Sequence, residues 1–315
     1  MICRIESKDY YVIPLNGNNE VRCSLKGKLK NDFRLKRGKL YKTDIAVIGD
    51  YVDFEKADEN SGVISGIEER DNYISRKSPK IKGSGYRGER LEQVIAANVD
   101  ALFIISSVAL PYFNNKVIDR FLVTAESSGI KPYLIINKTD LDKENLIDEW
   151  TAIYENIGYK VFKSSIVNNS GVAEIKKMLE GKKNLFWGQS GVGKSSLLNK
   201  MYPEVNLGVG EISNFTDKGK HTTVTSIMIE SGKNTYIIDT PGVREIDPYG
   251  IRKEDLGHYF IEFSEYASNC RFNTCTHYHE PGCQVIEAVE NNNISPERYD
   301  SYLRILETIE QDIVF

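Results

Sequence analysis

The spacing of apolar positions changes character about a third of the way along the chain. Up to residue 75 the apolar residues fall in short alternating runs: Asp9–Pro14 and Asn19–Leu25 flank an Asn16-Gly17-Asn18 turn, and Ile45–Phe54 and Gly62–Glu68 are broken by Gly and Asp. About five short strands in so short a stretch predict a small barrel of the OB type, a fold that commonly binds oligonucleotides. From Ala101 on, continuous apolar strands alternate with amphipathic helices: Ala101–Ser106, a helix near Lys116–Ser127, Tyr133–Asn137, a helix near Glu144–Ile157, Tyr159–Lys163, a helix near Val172–Leu179, and Leu185–Trp187. That alternation predicts an α/β domain with a mostly parallel sheet and helices on both faces, where ligands sit at the carboxyl ends of strands. Past residue 250 the pattern is helical again, ending in a helix over Pro296–Ile313. The expected division is a barrel over 1–75, a basic linker over 76–90 that lacks apolar period, the α/β domain over 91–247, and a mostly helical segment over 248–315.

Three motifs occupy strand ends in the α/β part. Gly188-Gln189-Ser190-Gly191-Val192-Gly193-Lys194-Ser195 follows Leu185-Phe186-Trp187 and satisfies G-x-x-x-x-G-K-[ST]. Glycines let backbone N–H groups face phosphates, Lys194 reaches the β- and γ-phosphates, and the Ser195 hydroxyl can ligate Mg²⁺ at a helix N-terminus. Asn137-Lys138-Thr139-Asp140 follows the apolar Leu134-Ile135-Ile136. Four residues alone are a weak signal, but at the end of a buried strand in a chain with a phosphate loop they specify a guanine pocket. The Asp140 carboxylate accepts the N–H groups of guanine's pairing edge, while Asn137 and the stem of Lys138 complete the pocket; a wrong base would leave buried groups unpaired. Ser164-Ser165, after Tyr159–Lys163, stands where a backbone N–H is expected to meet the guanine oxygen.

Asp239-Thr240-Pro241-Gly242, after Tyr236-Ile237-Ile238, supplies a carboxylate that can hold Mg²⁺ through water and a glycine N–H that can sense a γ-phosphate. Between it and the phosphate loop, the Gly-rich polar stretch 208–220 ends in His221-Thr222-Thr223, the place of a switch with a Mg²⁺-binding threonine; the expectation is Thr223, with Thr222 beside it. Val243 follows the glycine where many GTPases carry a glutamine, so unaided hydrolysis should be slow. The order of these motifs, with the guanine motif first, is that of a circularly permuted GTPase.

Composition adds a compartment and a second site. No apolar run has the length of a membrane span and the first residues lack signal-peptide character, so a cytoplasmic protein with no membrane partner is expected. Of five cysteines, Cys3 and Cys23 stand alone in strand-like segments, whereas Cys270-x4-Cys275-x-His277-x5-Cys283 offers three thiols and an imidazole, a structural zinc set. His279 competes as the fourth ligand. Residues 1–90 carry 19 basic against 14 acidic side chains, and the rest 22 against 31. Within 22–42 nine basic residues (Arg22, Lys26, Lys28, Lys30, Arg34, Lys36, Arg37, Lys39 and Lys42) face Asp32 alone, a local basic strip on an acidic chain.

Taken together these residues resemble the RsgA family, also called YjeQ, of GTPases dependent on the small ribosomal subunit. The resemblance covers nearly the whole chain: Val47-Ile48-Gly49-Asp50-Tyr51-Val52, Ala96-Ala97-Asn98-Val99-Asp100, Gly188 to Ser196, His221-Thr222-Thr223, Asp239 to Glu245, and Cys270 to Cys283 with Glu280-Pro281-Gly282 inside it. Val224 departs mildly from the family's usual third threonine. The resemblance implies one structural zinc held by Cys270, Cys275, His277 and Cys283, magnesium bound with GTP, and a monomer. It also implies a factor acting late in small-subunit assembly, binding the subunit and its rRNA as GTP, hydrolysing under the subunit's stimulation and leaving as GDP. His221 is similar to the family histidine proposed to place the catalytic water, and the basic strip then suits rRNA phosphates.

Overall fold

The computed structural model describes residues 1–15, 17, 19–31, 44–77, 92–205, 227–232, 234–239 and 248–311. The alternating N-terminal runs form β1 (Ile2–Glu6), β2 (Asp9–Val12), β3 (Val21–Leu25), β4 (Val52–Lys56) and β5 (Ser61–Ile67). β1, β2 and β3 form an antiparallel meander, β3 runs parallel to β5, and β5 pairs antiparallel with β4. Ile2 N–H donates to Asp50 O and Gly49 N–H to Ile2 O, both at 2.9 Å, so the meander's first strand returns to the residues just ahead of β4. Period-two alternation does the sorting: Val21, Cys23 and Leu25 face the core while Arg22 and Ser24 face out. Cys3 and Cys23 are buried there.

The linker expected from residue 76 begins later. Arg76 and Lys77 lie in β6 (Tyr73–Lys77), which pairs antiparallel with β7 (Glu92–Ala97) through Arg76 opposite Gln93 and Lys77 opposite Glu92. The remaining linker residues lie outside the described set. β7, expected in the α/β domain, belongs with the N-terminal strands: Ala97 N–H donates to Ile48 O at 2.9 Å and the Asn98 amide to Gly49 O at 3.0 Å. The α/β sheet itself starts at β8 (Ala101–Ser107). The apolar period marks a strand without naming its partner.

β8 continues into α1 (Asn115–Ser127), β9 (Lys131–Asn137), α2 (Leu146–Asn156), β10 (Val161–Lys163), α3 (Val172–Leu179), β11 (Lys183–Trp187) and α4 (Lys194–Met201), followed by β12 (Ile227–Glu230) and β13 (Tyr236–Asp239). Strand order is β10-β9-β8-β11-β13-β12, parallel except for β12. Strands buried on both faces favour continuous apolar runs: β8 is buried along its whole length, and its residues Ala101 to Ile105 are apolar. Phe103 stacks between Tyr133 and Phe186, at centroid distances of 5.0 and 5.2 Å, and ties the three central strands on one face. One antiparallel pair, Arg4 opposite Ile227, joins β1 to β12 and makes the two sheets continuous.

The C-terminal part has three helices, α5 (Ser264–Ala267), α6 (Gln284–Glu290) and α7 (Pro296–Gln311). Leu256, Phe260, Phe263, Val285, Tyr302 and Ile305 form its core, and Val123 of α1 is a member of that same core. The segment is therefore packed onto α1. Among the described residues no helix is long and apolar enough to cross a membrane.

Candidate nucleotide site and metal centre

β9 and β11 lie on either side of β8, and their parallel register brings both loops to one edge. Asn137 ends β9 fully buried, and its amide donates to Val192 O at 2.9 Å across the gap to the phosphate loop. Its carbonyl oxygen accepts the Ser164 hydroxyl at 3.0 Å. Lys138 adopts a left-handed backbone (φ 60°) that turns its side chain back, where the ammonium donates to Gly191 O at 2.6 Å and to Leu110 O. Asp140 stays exposed, its carboxylate accepting the Ser165 hydroxyl. Asn137 and Lys138 thus tie the β9 loop to the phosphate loop, with the Asp140 carboxylate held by Ser165 beside them.

The two serines do a different job from the one expected. The Ser164 N–H is committed to Ile136 O at 2.9 Å and the Ser165 N–H to Ser170 O at 3.1 Å, so neither is available to a base oxygen. β10 ends at Lys163, where the apolar pattern placed its end, and a tight turn then closes Ser165 on Ser170. Their hydroxyls instead orient Asn137 and Asp140. The next backbone N–H along the turn belongs to Ile166, a position that side-chain motifs could not point to.

In the phosphate loop, Gly193 has φ 94° and a Cβ there would sit 2.5 Å from the Asn137 amide nitrogen. Only glycine lets the loop pass so close to the guanine motif. Gly188 leaves β11, followed by the half-buried Gln189, the exposed Ser190 and the buried Val192; Ser195 and Ser196 lie in the first turn of α4, Ser195 buried. Lys194 is held over the loop by the carbonyls of Gly188 and Gln189, at 2.6 and 3.0 Å. Burial lowers its pKa and the nearby Asp239 carboxylate opposes that shift. Asp239 is buried at the end of β13 opposite Phe186, near enough to Lys194 for its charge to act on the ammonium. A buried hydroxyl at a helix N-terminus and a carboxylate next to the phosphate-binding lysine suit a magnesium ion carried by a nucleotide. His221, Thr222, Thr223 and Gly242 lie outside the described residues.

The cysteine cluster assembles as a ligand set. Cys270, Cys275, His277 and Cys283 place their Sγ and ring-nitrogen atoms within 4.8 Å of one another. Cys270 Sγ is 3.7 Å from His277 Nδ1 and 3.9 Å from Cys283 Sγ, and His277 Nδ1 is 3.4 Å from Cys283 Sγ. Ligands about 2.3 Å from a common tetrahedral centre lie about 3.7 Å apart, so the set fits a metal ion. His277 is buried, whereas His279 is exposed and in ring contact with Tyr278, which decides between the two histidines. Glu280 shapes the loop by accepting N–H groups of Thr276, Tyr278 and His279 and the Thr276 hydroxyl. Burial would raise its pKa, but these hydrogen bonds bring it down to about 2. From α7, Tyr299 donates to His277 O at 2.8 Å and Tyr302 to Thr276 O.

The basic strip is only partly described: Arg34, Lys36, Arg37, Lys39 and Lys42 lie outside. Arg22 pairs with Asp9 at 2.6 Å and Lys26 with Glu55 at 3.7 Å, while Lys28 and Lys30 are exposed. Exposed pairs of this kind are weak enough for a phosphate to displace the carboxylate.

With these sites in view, the sequence model of the RsgA GTPase family matches residues 67–249. A small ribosomal subunit biogenesis GTPase RsgA of Phocaeicola vulgatus is 41% identical over 305 residues, covering 96% of this chain and 94% of that protein. The chain belongs to the RsgA GTPase family. A second relative of the same description, from Chlorobaculum parvum, is 38% identical over 85% of this chain and 87% of its own. Among solved structures, YjeQ from Thermotoga maritima superposes with a TM-score of 0.75 at 31% identity, covering 98% of this chain and 96% of the other. YloQ, described as a circularly permuted GTPase, gives 0.71 at 28% identity over 100% and 95%. This RsgA-family chain is accordingly a GTPase of permuted α/β fold, preceded by a small β-rich part and followed by a helical part whose Cys₃His group could hold a metal ion.

Proposed function

We propose that this GTPase binds the small ribosomal subunit through rRNA, acts late in the subunit's maturation and uses subunit-stimulated hydrolysis to time its release. The observation that carries the reading is the junction of guanine and phosphate loops at Asn137–Val192, in a chain whose relatives are named small ribosomal subunit biogenesis GTPases. Asp140, oriented by Ser165, selects guanine; Asn137 and Lys138 hold the two loops together. Gly188 to Ser196 cradle the phosphates, and Lys194 neutralises the charge that builds on the β–γ bridge. Ser195 and Thr223 would hold a magnesium ion, with Asp239 as a supporting carboxylate; when bound, it would supply positive charge against the phosphates of the nucleotide. Thr222 and Thr223 contribute to binding the nucleotide, the Gly242 N–H senses the γ-phosphate, and His221 helps place the attacking water, a role that Val243 cannot take.

The N-terminal strands, in the order β1-β2-β3-β5-β4, support an OB-type barrel whose basic strip meets rRNA phosphates. Zinc is the metal that three thiolates and one imidazole favour at the C-terminal site. The protein works as a monomer in the cytoplasm, where small subunits are assembled.

Multiple-turnover phosphate release, with and without purified small subunits, tests this reading. Stimulation by the subunit is expected. GTP binding with no turnover in either case would make the chain an RNA-binding factor that uses GTP as a structural ligand.

A further inference from the structure

A buried ion cluster joins the metal-binding part to the guanine end of the nucleotide site. Arg298 of α7 is 1% exposed, and its guanidinium donates to Asp119 Oδ1 of α1 at 2.5 Å and to both oxygens of Glu262 at 2.7 and 3.1 Å. Glu262 lies in the short 3₁₀ turn Ile261–Phe263, leading into α5. The same Asp119 oxygen accepts the Tyr154 hydroxyl of α2 at 2.8 Å. The guanidinium stacks over Phe260, 4.6 Å from its centroid. Arg298 therefore ties the C-terminal part to α1 at the same carboxylate oxygen that joins α1 to α2 through Tyr154, whose ring centroid lies 5.8 Å from the guanidinium.

Those two helices are the ones that bracket the guanine motif. α1 ends at Ser127, just ahead of β9, whose last residue is Asn137. α2 begins just after Asp140, and the Asp142 carboxylate accepts the N–H groups of Leu146 and Ile147 at its start, each at 3.2 Å. The N-terminal end of α1 is also seamed to α7: the Asn115 amide donates to the Ser301 hydroxyl at 3.2 Å and Lys116 pairs with Asp300 at 3.2 Å. Just before α1 is the loop whose Leu110 carbonyl accepts the Lys138 ammonium. Nothing comparable links the cluster to α4 or the phosphate loop among the described contacts.

We infer that Arg298 is a positioning residue for the guanine pocket: by fixing the Asp119 carboxylate through which α1 meets Tyr154 of α2, it sets the loop Asn137–Asp140 and couples the C-terminal part to base recognition rather than to phosphate binding. A fully buried guanidinium shared by two carboxylates holds a single geometry, because leaving either carboxylate uncompensated is costly. The inference rests on the guanine assignment of Asp140.

The test compares affinities for GDP and for inosine diphosphate, which lacks the exocyclic amine that Asp140 accepts. Arg298→Lys keeps the charge but loses the fork; a triple variant, Arg298→Met with Asp119→Asn and Glu262→Gln, removes all three charges and guards against misfolding. Circular dichroism and metal content identify folded protein, and inactive molecules would lower both affinities equally without moving their ratio. The GDP-to-IDP affinity ratio is expected to fall about fivefold, within the range that such coupling spans. An unchanged ratio in a folded, metal-loaded variant overturns the inference. A wild-type protein that fails to prefer GDP over adenosine diphosphate would instead overturn the guanine assignment beneath it.

Discussion

Replacing Gly193 by alanine probes the contact between the guanine and phosphate loops most directly. The new Cβ would lie 2.5 Å from the Asn137 amide nitrogen, far inside van der Waals contact, and Asn137 is too buried to swing aside freely. Two costs add. Holding an L-residue at φ 94° costs about 1–2 kcal/mol, and pushing the amide off Val192 O strands a buried donor for about 1–3 kcal/mol. A combined penalty of about 3 kcal/mol on the binding-competent arrangement corresponds to roughly a hundredfold loss of GDP and GTP affinity. Gly181→Ala supplies the control: its φ is 70° but no atom lies within 4 Å of the added Cβ, so it bears the conformational cost alone, far from the site. Titration with a fluorescent guanine nucleotide, beside thermal melts without nucleotide, separates the two. A Gly193→Ala protein whose affinity stays within about threefold of wild type, with Gly181→Ala equally affected, would refute the reasoning.

Asp140→Asn should lower GTP affinity about a hundredfold and favour xanthosine triphosphate, whose extra carbonyl can receive the introduced amide; unchanged preference in a competition assay would move base reading elsewhere. Lys194→Ala or Ser195→Ala should abolish phosphate release while far-ultraviolet dichroism stays as in wild type, and turnover in both would mean that the phosphate loop is misassigned. Glu280→Gln should weaken metal retention against a chelator by about ten- to a hundredfold, since the amide cannot accept from the loop N–H groups as the carboxylate does. Elemental analysis should find one equivalent of zinc, lost in His277→Ala and kept in His279→Ala. Charge reversal at Lys26 and Lys28 should weaken small-subunit binding whichever nucleotide is bound and flatten its salt dependence; an unaltered salt slope would remove these two lysines from the contact.

How far the chain could be read from its residues followed the range of the forces involved. The nucleotide motifs sit at strand ends because a buried parallel strand, a tight glycine turn and a helix start are each written in adjacent residues. That is why α3 spans Val172–Leu179 as anticipated, and why the Cys₃His spacing was legible before any coordinates. Pairing across the chain was not legible. β7 has the apolar look of a sheet strand, yet it pairs with β6 because its backbone partners lie at residues 73–77, and period alone cannot choose among exposed edges. His277 and His279 are equivalent in sequence; packing under Tyr299 and Tyr302 buries one and leaves the other outside. Ser164 and Ser165 lay at the expected loop, but the ladder to Ile136 and the turn to Ser170 took their N–H groups and left their hydroxyls to position Asn137 and Asp140. Arg298 and Asp119 are 179 residues apart, and each alone looks like an ordinary exposed helix charge. Only the packing of α7 on α1 removes both from water, and that burial turns a common pair of residues into a buried ion pair joining the C-terminal part to α1.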